Sequence, residues 1–415
     1  MEILYGKGKI SFSIPAGWSI DVLRPKEISP ASDPIQEAER ALNNPLGNKK
    51  LTDFRGVQSV AIAISDETRP VPNRFILPIL LKHLSDMGIL RSKITLLIAS
   101  GLHPPLPSSR FPNLLPQNIL EQYLVLAHDA KDSNLVFLGK TSRGTPIFVH
   151  PLFYQADLRV AVGLIDPHQF VGYTGGVKCA AVGLAGAKTI EANHSLLFHP
   201  LAVVGEVENN PVRQDIEEIG KMMGVHFVLN VVLDETNRLV KSFCGDPVEV
   251  EAKGSAFCRT IYEINVHEEY DIVIASPGGY PKDINVYQAQ KGLAHATPLV
   301  RKGGDIILVA ECPDGHGEEI FYQEMKRYRS PQEVITGFQE EPFRMGAHKA
   351  FLWARSLEKA DVYMVSSLKP DVGEDLMVRS VKGVTQALQS IQSKYAQPPR
   401  VAFLPKASST YVRIT

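Results

Sequence analysis

Cysteine is scarce in this chain: four residues among 415, and they are widely scattered. Cys179, Cys244, Cys258 and Cys312 form no CxxC pair, so the spacing of a zinc knuckle is absent and a disulfide framework is not indicated; a reducing cytoplasm is the simpler setting. Long apolar runs are also missing. None reaches the roughly 18 residues of a membrane-spanning helix. The opening segment, MEILYGKGKISFSIP, interleaves charges with a strand-like pattern and lacks the basic and apolar regions of a secretory signal. A surplus of charge of one sign is absent too. The formal net charge is -1, which argues against a broad field for nucleic acid or anionic membrane but leaves room for a local basic pocket. Three motifs are not found: GxxxxGK[ST] of a P-loop, GxGxxG opening a dinucleotide-binding unit, and HExxH of a helix-borne zinc site.

What is present is an ordinary globular composition, 44% hydrophobic and 21% charged, in a chain long enough for two or three domains. Its clearest pattern is a short apolar run that stops at polar, Gly or Pro residues. VAIAIS precedes Asp66-Glu67-Thr68-Arg69-Pro70, ITLLIAS precedes Gly101-Leu102-His103-Pro104, and RVAVGLI precedes Asp166-Pro167-His168-Gln169. DIVIAS, DIILVAE and DVYMVSS repeat the pattern in the second half. Unbroken runs of this length fit parallel strands buried on both faces. FILPILLKHLSDMG and VRQDIEEIGKMMG have helical spacing and fill gaps between them. The alternation predicts an α/β fold of two domains, each with a mostly parallel sheet flanked by helices. Ligands in such folds bind beyond the carboxyl ends of strands, where these polar clusters lie, and the active site is expected in the cleft between the domains. The polar NVHEEY segment sets the expected division at 1–267 and 268–397, with 398–415 as a tail that could return to the first domain.

The densest chemistry lies in DPHQFVGYTGGVKCAAVGLAGAKTIEANH, residues 166–194. Gly175 and Gly176 allow close approach to a ligand, and a helix starting near Gly176 would aim N–H groups at an anion. Lys178 then falls where a helix dipole disfavours a cation, which points to service to a ligand; a strand–helix turn with a solvated lysine is the commoner meaning of an isolated Gly-Gly-x-Lys. His103 and His168 each follow a buried strand. A single loop histidine is usually structural. Two at equivalent strand ends suit acid/base work on opposite faces of one carbon. His194 could bind a metal through a neutral ring nitrogen or could simply end a helix. No second protein ligand stands at usable spacing, so a metal there would need non-protein donors. Arg69 can clamp a carboxylate with two parallel hydrogen bonds, and Asp66 suits a ribose hydroxyl or a helix cap. In the second half, Tyr287 and Lys291 are four apart and share a helical face with Gln288 nearby; an amphipathic surface helix would look the same.

Together these residues make the family recognisable. The order SDETRP, GLHP, DPHQFVGYTGGVK, EANH, SPGGYPKDINVYQAQKG resembles the nickel-dependent lactate racemases and related 2-hydroxy acid racemases and epimerases across nearly the whole chain. The last motif, with Asp283, Asn285, Tyr287, Gln288 and Lys291, is the most characteristic. The resemblance implies a nickel pincer nucleotide (a pyridinium-3-thioamide-5-thiocarboxylic acid mononucleotide) joined covalently to Lys178, with His194 as the protein ligand to nickel. It further implies His103 and His168 as the acid/base pair, Asp66 near the cofactor ribose and Arg69 on the substrate carboxylate. Tyr287, Gln288 and Lys291 would bind substrate or cofactor, with Trp353 as a further substrate contact. The implied partners are a small 2-hydroxy acid and the enzymes that build the cofactor. Two other readings stand beside this one: an NAD-type dehydrogenase, which the missing GxGxxG disfavours, and a nucleotide- or carboxylate-binding protein, which would not need two bases.

Overall fold

The structure, a computed structural model, describes residues 1–341 and 343–415. The chain divides into two compact units, one of Glu27–Ile261 and one of Met1–Lys26 with Tyr262–Thr415. Each contains a six-stranded sheet. The sheet strands, numbered along the chain, are β1 (Ser19–Val22), β2 (Val60–Ser65), β3 (Ile94–Ala99), β4 (Leu124–Ala127), β5 (Leu158–Leu164) and β6 (Phe227–Leu233). They continue with β7 (Leu239–Gly245), β8 (Tyr270–Ala275), β9 (Val300–Val309), β10 (Ala360–Val365), β11 (Arg379–Val381) and β12 (Arg400–Leu404). The helices that matter below are α1 (Asn73–Asp86), α2 (Ala187–Ser195), α3 (Pro211–Met222), α4 (Pro247–Tyr262), α5 (Val286–Ala296) and α6 (Ala347–Lys359).

In the unit of residues 27–261 the strand order is β7-β6-β5-β2-β3-β4. All neighbours are parallel except β6 and β7. Every residue of β2 and of β6 is buried, the signature expected of strands covered on both faces. From β2 the chain builds outward through β3 and β4. It then returns to the other side of β2 with β5 and builds outward again. The order therefore reverses between β2 and β5, and a crevice at such a reversal is where open α/β sheets bind ligands. The loops that leave the carboxyl ends of these two strands carry Asp66 and the Asp166–Lys178 stretch.

The other unit has the order β11-β10-β9-β8-β12-β1, parallel throughout. Alternation along β8 divides its core. Val273 and Ala275 face one cluster with Trp353 and Phe321, while Ile272 and Ile274 face another with Ile3 and Phe12. Among the described residues no helix is long and apolar enough to cross a membrane.

The units do not follow the expected division at 267/268. Residues 1–26 and the segment from 398 onward both belong with the C-terminal unit. The reason is strand pairing. The apolar VAFLP run forms β12, which needs a neighbour on each edge and finds β8 on one side and β1 on the other. The tail thus does not return to the first domain, and the first 26 residues leave it.

Candidate active site

Asp66, the first residue after β2, is almost wholly buried. Its Oδ1 accepts the Thr68 N–H at 3.2 Å and the Thr68 hydroxyl at 2.6 Å, and its Oδ2 lies 2.8 Å from Nδ1 of His103. Burial would raise this carboxyl, but the hydrogen bonds from His103 and Thr68 outweigh it and hold Asp66 below its ordinary value. An ionised Asp66 only accepts, so His103 donates to it from Nδ1–H. His103 itself sits in the exposed loop after β3. Beyond the cap-like bonds it accepts from Thr68, Asp66 holds His103, a partnership the sequence did not suggest.

The Gly175–Lys178 turn follows β5. Gly175 (φ 101°) and Gly176 (φ 55°) adopt left-handed backbone. The helix expected to start near Gly176 is short. A single turn, Lys178–Ala181, is separated from α2 by Val182–Gly186, so no extended dipole points at a ligand. The Gly176 N–H is already used, donating to Asn230 Oδ1 at 2.6 Å. What the turn does is present Lys178. Burial is the main influence on this ammonium, followed by the nearby Arg69 and Arg213 cations, and together they lower it to about 7. A large share of the side chain is then neutral amine near pH 7, the form that can act as a nucleophile.

His194 lies near the end of α2, buried, and Lys178 adds to the burial that pushes its ring down to about 3. The ring is therefore neutral. Its Nδ1 is 3.0 Å from Asn193 Oδ1. Asn193 in turn spends its amide hydrogens on Asp215 Oδ2 (2.9 Å) and the Val212 carbonyl (3.1 Å), which assigns oxygen to the side facing the ring. The Nδ1–H therefore donates and the lone pair lies on Nε2, the arrangement of a metal-ligating histidine. Phe170 links the two remaining parts. Its ring meets His168 edge-on at 4.8 Å between centroids and His194 at 5.2 Å. His168 is held on a two-residue strand paired with Gly172–Tyr173. Contacts and fields thus connect His103, Asp66, Arg69, Lys178, His194 and His168 within one unit. Among the described residues no group of three or more His, Cys, Asp or Glu could hold a metal by itself.

Three candidates of the C-terminal unit, Tyr287, Gln288 and Lys291, lie on α5. Asn285 caps this helix, accepting the Gln288 N–H at 2.9 Å. Lys291 donates to Gln288 Oε1 at 3.1 Å, and the Tyr287 ring packs against Phe321 with the Lys349 ammonium 5.3 Å from its centre. Asp283 is wholly buried, and its carboxylate accepts the Gly6 and Glu311 N–H groups at 2.7 and 3.2 Å, a structural duty. Trp353 is a correction. It is fully buried in the core, and its indole N–H is spent on the Leu376 carbonyl at 2.9 Å, so it offers no surface to a substrate. Asn193, Asp215, Phe170, Asn230 and Arg213 were not singled out in the sequence. Only EANH carried a local hint, since Asn193 adjoins His194.

The unit of residues 27–261 thus gathers histidines, a lysine of lowered charge and a neutral buried histidine on the loops at the reversal point of a parallel sheet, the place where α/β enzymes bind ligands. Comparison with known proteins specifies the kind. The lactate racemase N-terminal domain matches residues 5–205, and the lactate racemase C-terminal domain matches residues 266–412. Lactate racemase of Thermoanaerobacterium thermosaccharolyticum is 34% identical over 100% of this chain and 99% of its own length. That of Lactiplantibacillus plantarum is 32% identical, covering 91% of both. The structure of the Thermoanaerobacterium apoprotein superposes with a TM-score of 0.93 at 33% identity over 99% of each chain. A Thermotoga maritima protein shares the fold at a TM-score of 0.68 and 17% identity, over 92% of this chain and 98% of that one. The chain belongs to the lactate racemase family and is an isomerase of the racemase type.

Proposed function

We propose that this enzyme interconverts the two C2 stereoisomers of lactate, or of a close 2-hydroxy acid, using a nickel pincer nucleotide attached at Lys178. The observation that carries the reading is the pairing of a lysine of suppressed charge with a neutral histidine whose tautomer is set by Asn193. The residues present fit such a group. One histidine without a protein ligand cluster suits a metal whose other bonds come from a nucleotide's sulfur and carbon, and a partly neutral lysine suits a thioamide link. When bound, such a group would supply an electron-poor pyridinium ring, a hydride acceptor for chemistry at C2.

The protein's part is orientation and proton handling. Arg69 holds the substrate carboxylate by two parallel hydrogen bonds. His103, backed by Asp66, takes the hydroxyl proton of one enantiomer through Nε2, and the hydroxyl oxygen becomes a ketone. His168 returns a proton to that oxygen when the hydrogen is restored to the other face, and the roles exchange in reverse. Each transfer contributes on the order of 10²–10⁴-fold. Tyr287, Gln288 and Lys291 bind substrate or cofactor in this reading, on the strength of the family motif that contains them. Cofactor-building enzymes are the required partners. A reducing cytoplasm fits four cysteines that form no disulfide.

The test is to produce the chain with those enzymes and present a panel of enantiopure 2-hydroxy acids, following products by chiral chromatography. About one nickel per chain, absorption beyond the protein band and racemisation of lactate are expected, with Lys178→Ala losing the added mass. Racemisation by nickel-free protein would overturn the mechanism.

A further inference from the structure

The proposed attachment point and the proposed metal ligand belong to different elements, Lys178 to the turn after β5 and His194 to α2. Both are nevertheless tied to one helix, α3. Its start is firmly fixed: Asn210 accepts the Val212 and Arg213 N–H groups at 3.0 and 3.2 Å, and Pro211 occupies the first helical position.

From this start two side chains diverge. The Arg213 guanidinium, wholly buried, donates to the Tyr173 carbonyl at 3.1 Å and to the Gly175 carbonyl at 3.3 Å, so it grips the backbone of the lysine turn from below. Glu217, one turn along α3, pairs with it, and Glu251 of α4, whose carboxyl burial pushes up to about 8, lies 3.2 Å away. The fit is close. A Cβ on Gly176 would come within 2.6 Å of Arg213 Nη2, and one on Gly220, two turns along α3, within 2.5 Å of Val177. Asn230 of β6 completes the support by accepting the Gly176 N–H at 2.6 Å. Two residues on, Asp215 takes the other direction. Its carboxylate accepts the Thr141 hydroxyl at 2.6 Å, the Thr145 hydroxyl at 2.9 Å and the Asn193 amide at 2.9 Å. That last bond fixes which way Asn193 faces His194.

We infer that α3 is the common positioning element for the two cofactor-holding residues. Arg213 sets the turn that presents Lys178, and Asp215, acting through Asn193, sets the ring of His194. The inference rests on the reading of Lys178 and His194 given above. Arg213 and Asp215 are buried, and the hydrogen bonds named above are all to protein groups. Each acts through the residue it holds, and the two effects are separable because the two side chains have different targets.

The experiment produces four variants with the cofactor-building enzymes: Arg213→Lys, Arg213→Met/Glu251→Gln, Asp215→Asn and Lys178→Ala, beside wild type. Attached nucleotide is read by intact mass, nickel retention by metal analysis during exposure to a chelator, and fold by circular dichroism. Glu251→Gln removes the carboxylate that Arg213→Met would leave buried without its cation. The folded double variant is expected to carry about 10-fold less attached nucleotide, with partial recovery in Arg213→Lys. Asp215→Asn is expected to keep the attached mass yet release nickel about 10-fold faster. Should the double variant not fold, Arg213→Lys alone must show reduced attachment. Wild-type attachment in the Arg213 variants, or loss of the attached mass in Asp215→Asn, overturns the inference. A wild-type chain without the added mass, or Lys178→Ala with it, overturns the underlying reading of Lys178 and the inference with it.

Discussion

The two units are built on sheets of the same size and nearly the same make, yet their polar residues serve different ends. In the unit of residues 27–261, groups beyond the strand ends are kept away from easy neutralisation. Lys178 is lowered to about 7 and His194 to about 3, and Asp66 serves another side chain. In the other unit, comparable groups are absorbed into the fabric. Asp283 binds two backbone N–H groups, and Asp305 is covered by Lys394 at 2.9 Å and by the Tyr395 hydroxyl. The lesson is that a parallel sheet provides a place for chemistry without prescribing any, and the loops decide.

The sharpest way to break this contrast is to remove the paired histidines. His103→Ala and His168→Ala should each cut kcat by about 10²–10⁴-fold and leave nickel and added mass in place. Loss of the cofactor in either variant would make that residue a holder instead of a base. Asp66→Asn comes next. The amide can present hydrogens to Nδ1 and so favour the wrong tautomer of His103, and a loss of about 10²-fold in kcat with little change in KM is expected. Unchanged turnover would return Asp66 to a merely structural place.

Trp353→Ala probes the other unit. It should cost about 3–5 kcal/mol of stability by denaturant unfolding while KM of the remaining folded enzyme holds steady. A changed KM without lost stability would restore Trp353 to the substrate. The smallest effect concerns His128, which burial lowers to about 4 and whose Nε2 lies 2.9 Å from the Ala185 carbonyl. A histidine depressed in the folded state is protonated first in the unfolded one. Its contribution is therefore complete above about pH 6.5 and declines as the pH falls toward 4, by at most about 3 kcal/mol. His128→Gln should flatten the dependence of Tm on pH in that window, and an identical profile would assign the acid sensitivity elsewhere.

The sequence was most readable where one short stretch carries the whole signal. The runs that became β2, β3, β5, β8, β9 and β10 each hold a short apolar stretch that stops at polar, Gly or Pro residues, so their ends drew attention to Asp66, His103, His168 and Lys178 together. Partnership was not readable. Asp66 and His103 are 37 residues apart, and Gly176 and Asn230 are 54 apart. No local pattern says that the one will orient the other, since only the folded sheet brings them together. The partners of the glycine pair were hidden for the same reason. Its flexibility suggested a ligand cradle, and the structure adds close approaches to Arg213 and Asn230 that no local pattern announces. Trp353 misled because an aromatic residue in a helix looks the same whether it lines a cavity or fills a core.

The pairing of β1 with β12 has a consequence for how the chain matures. Ser19 stands beside Arg400, so an early strand waits for one of the last before its sheet can close. The unit of residues 27–261 lies wholly between them. As the polypeptide leaves the ribosome, the unit of residues 27–261 can consolidate while its companion is still unfinished, since domains form as units in order of synthesis. The slow step then falls to the part of the molecule that carries the least chemistry, because contacts between distant positions are the last to be rewarded.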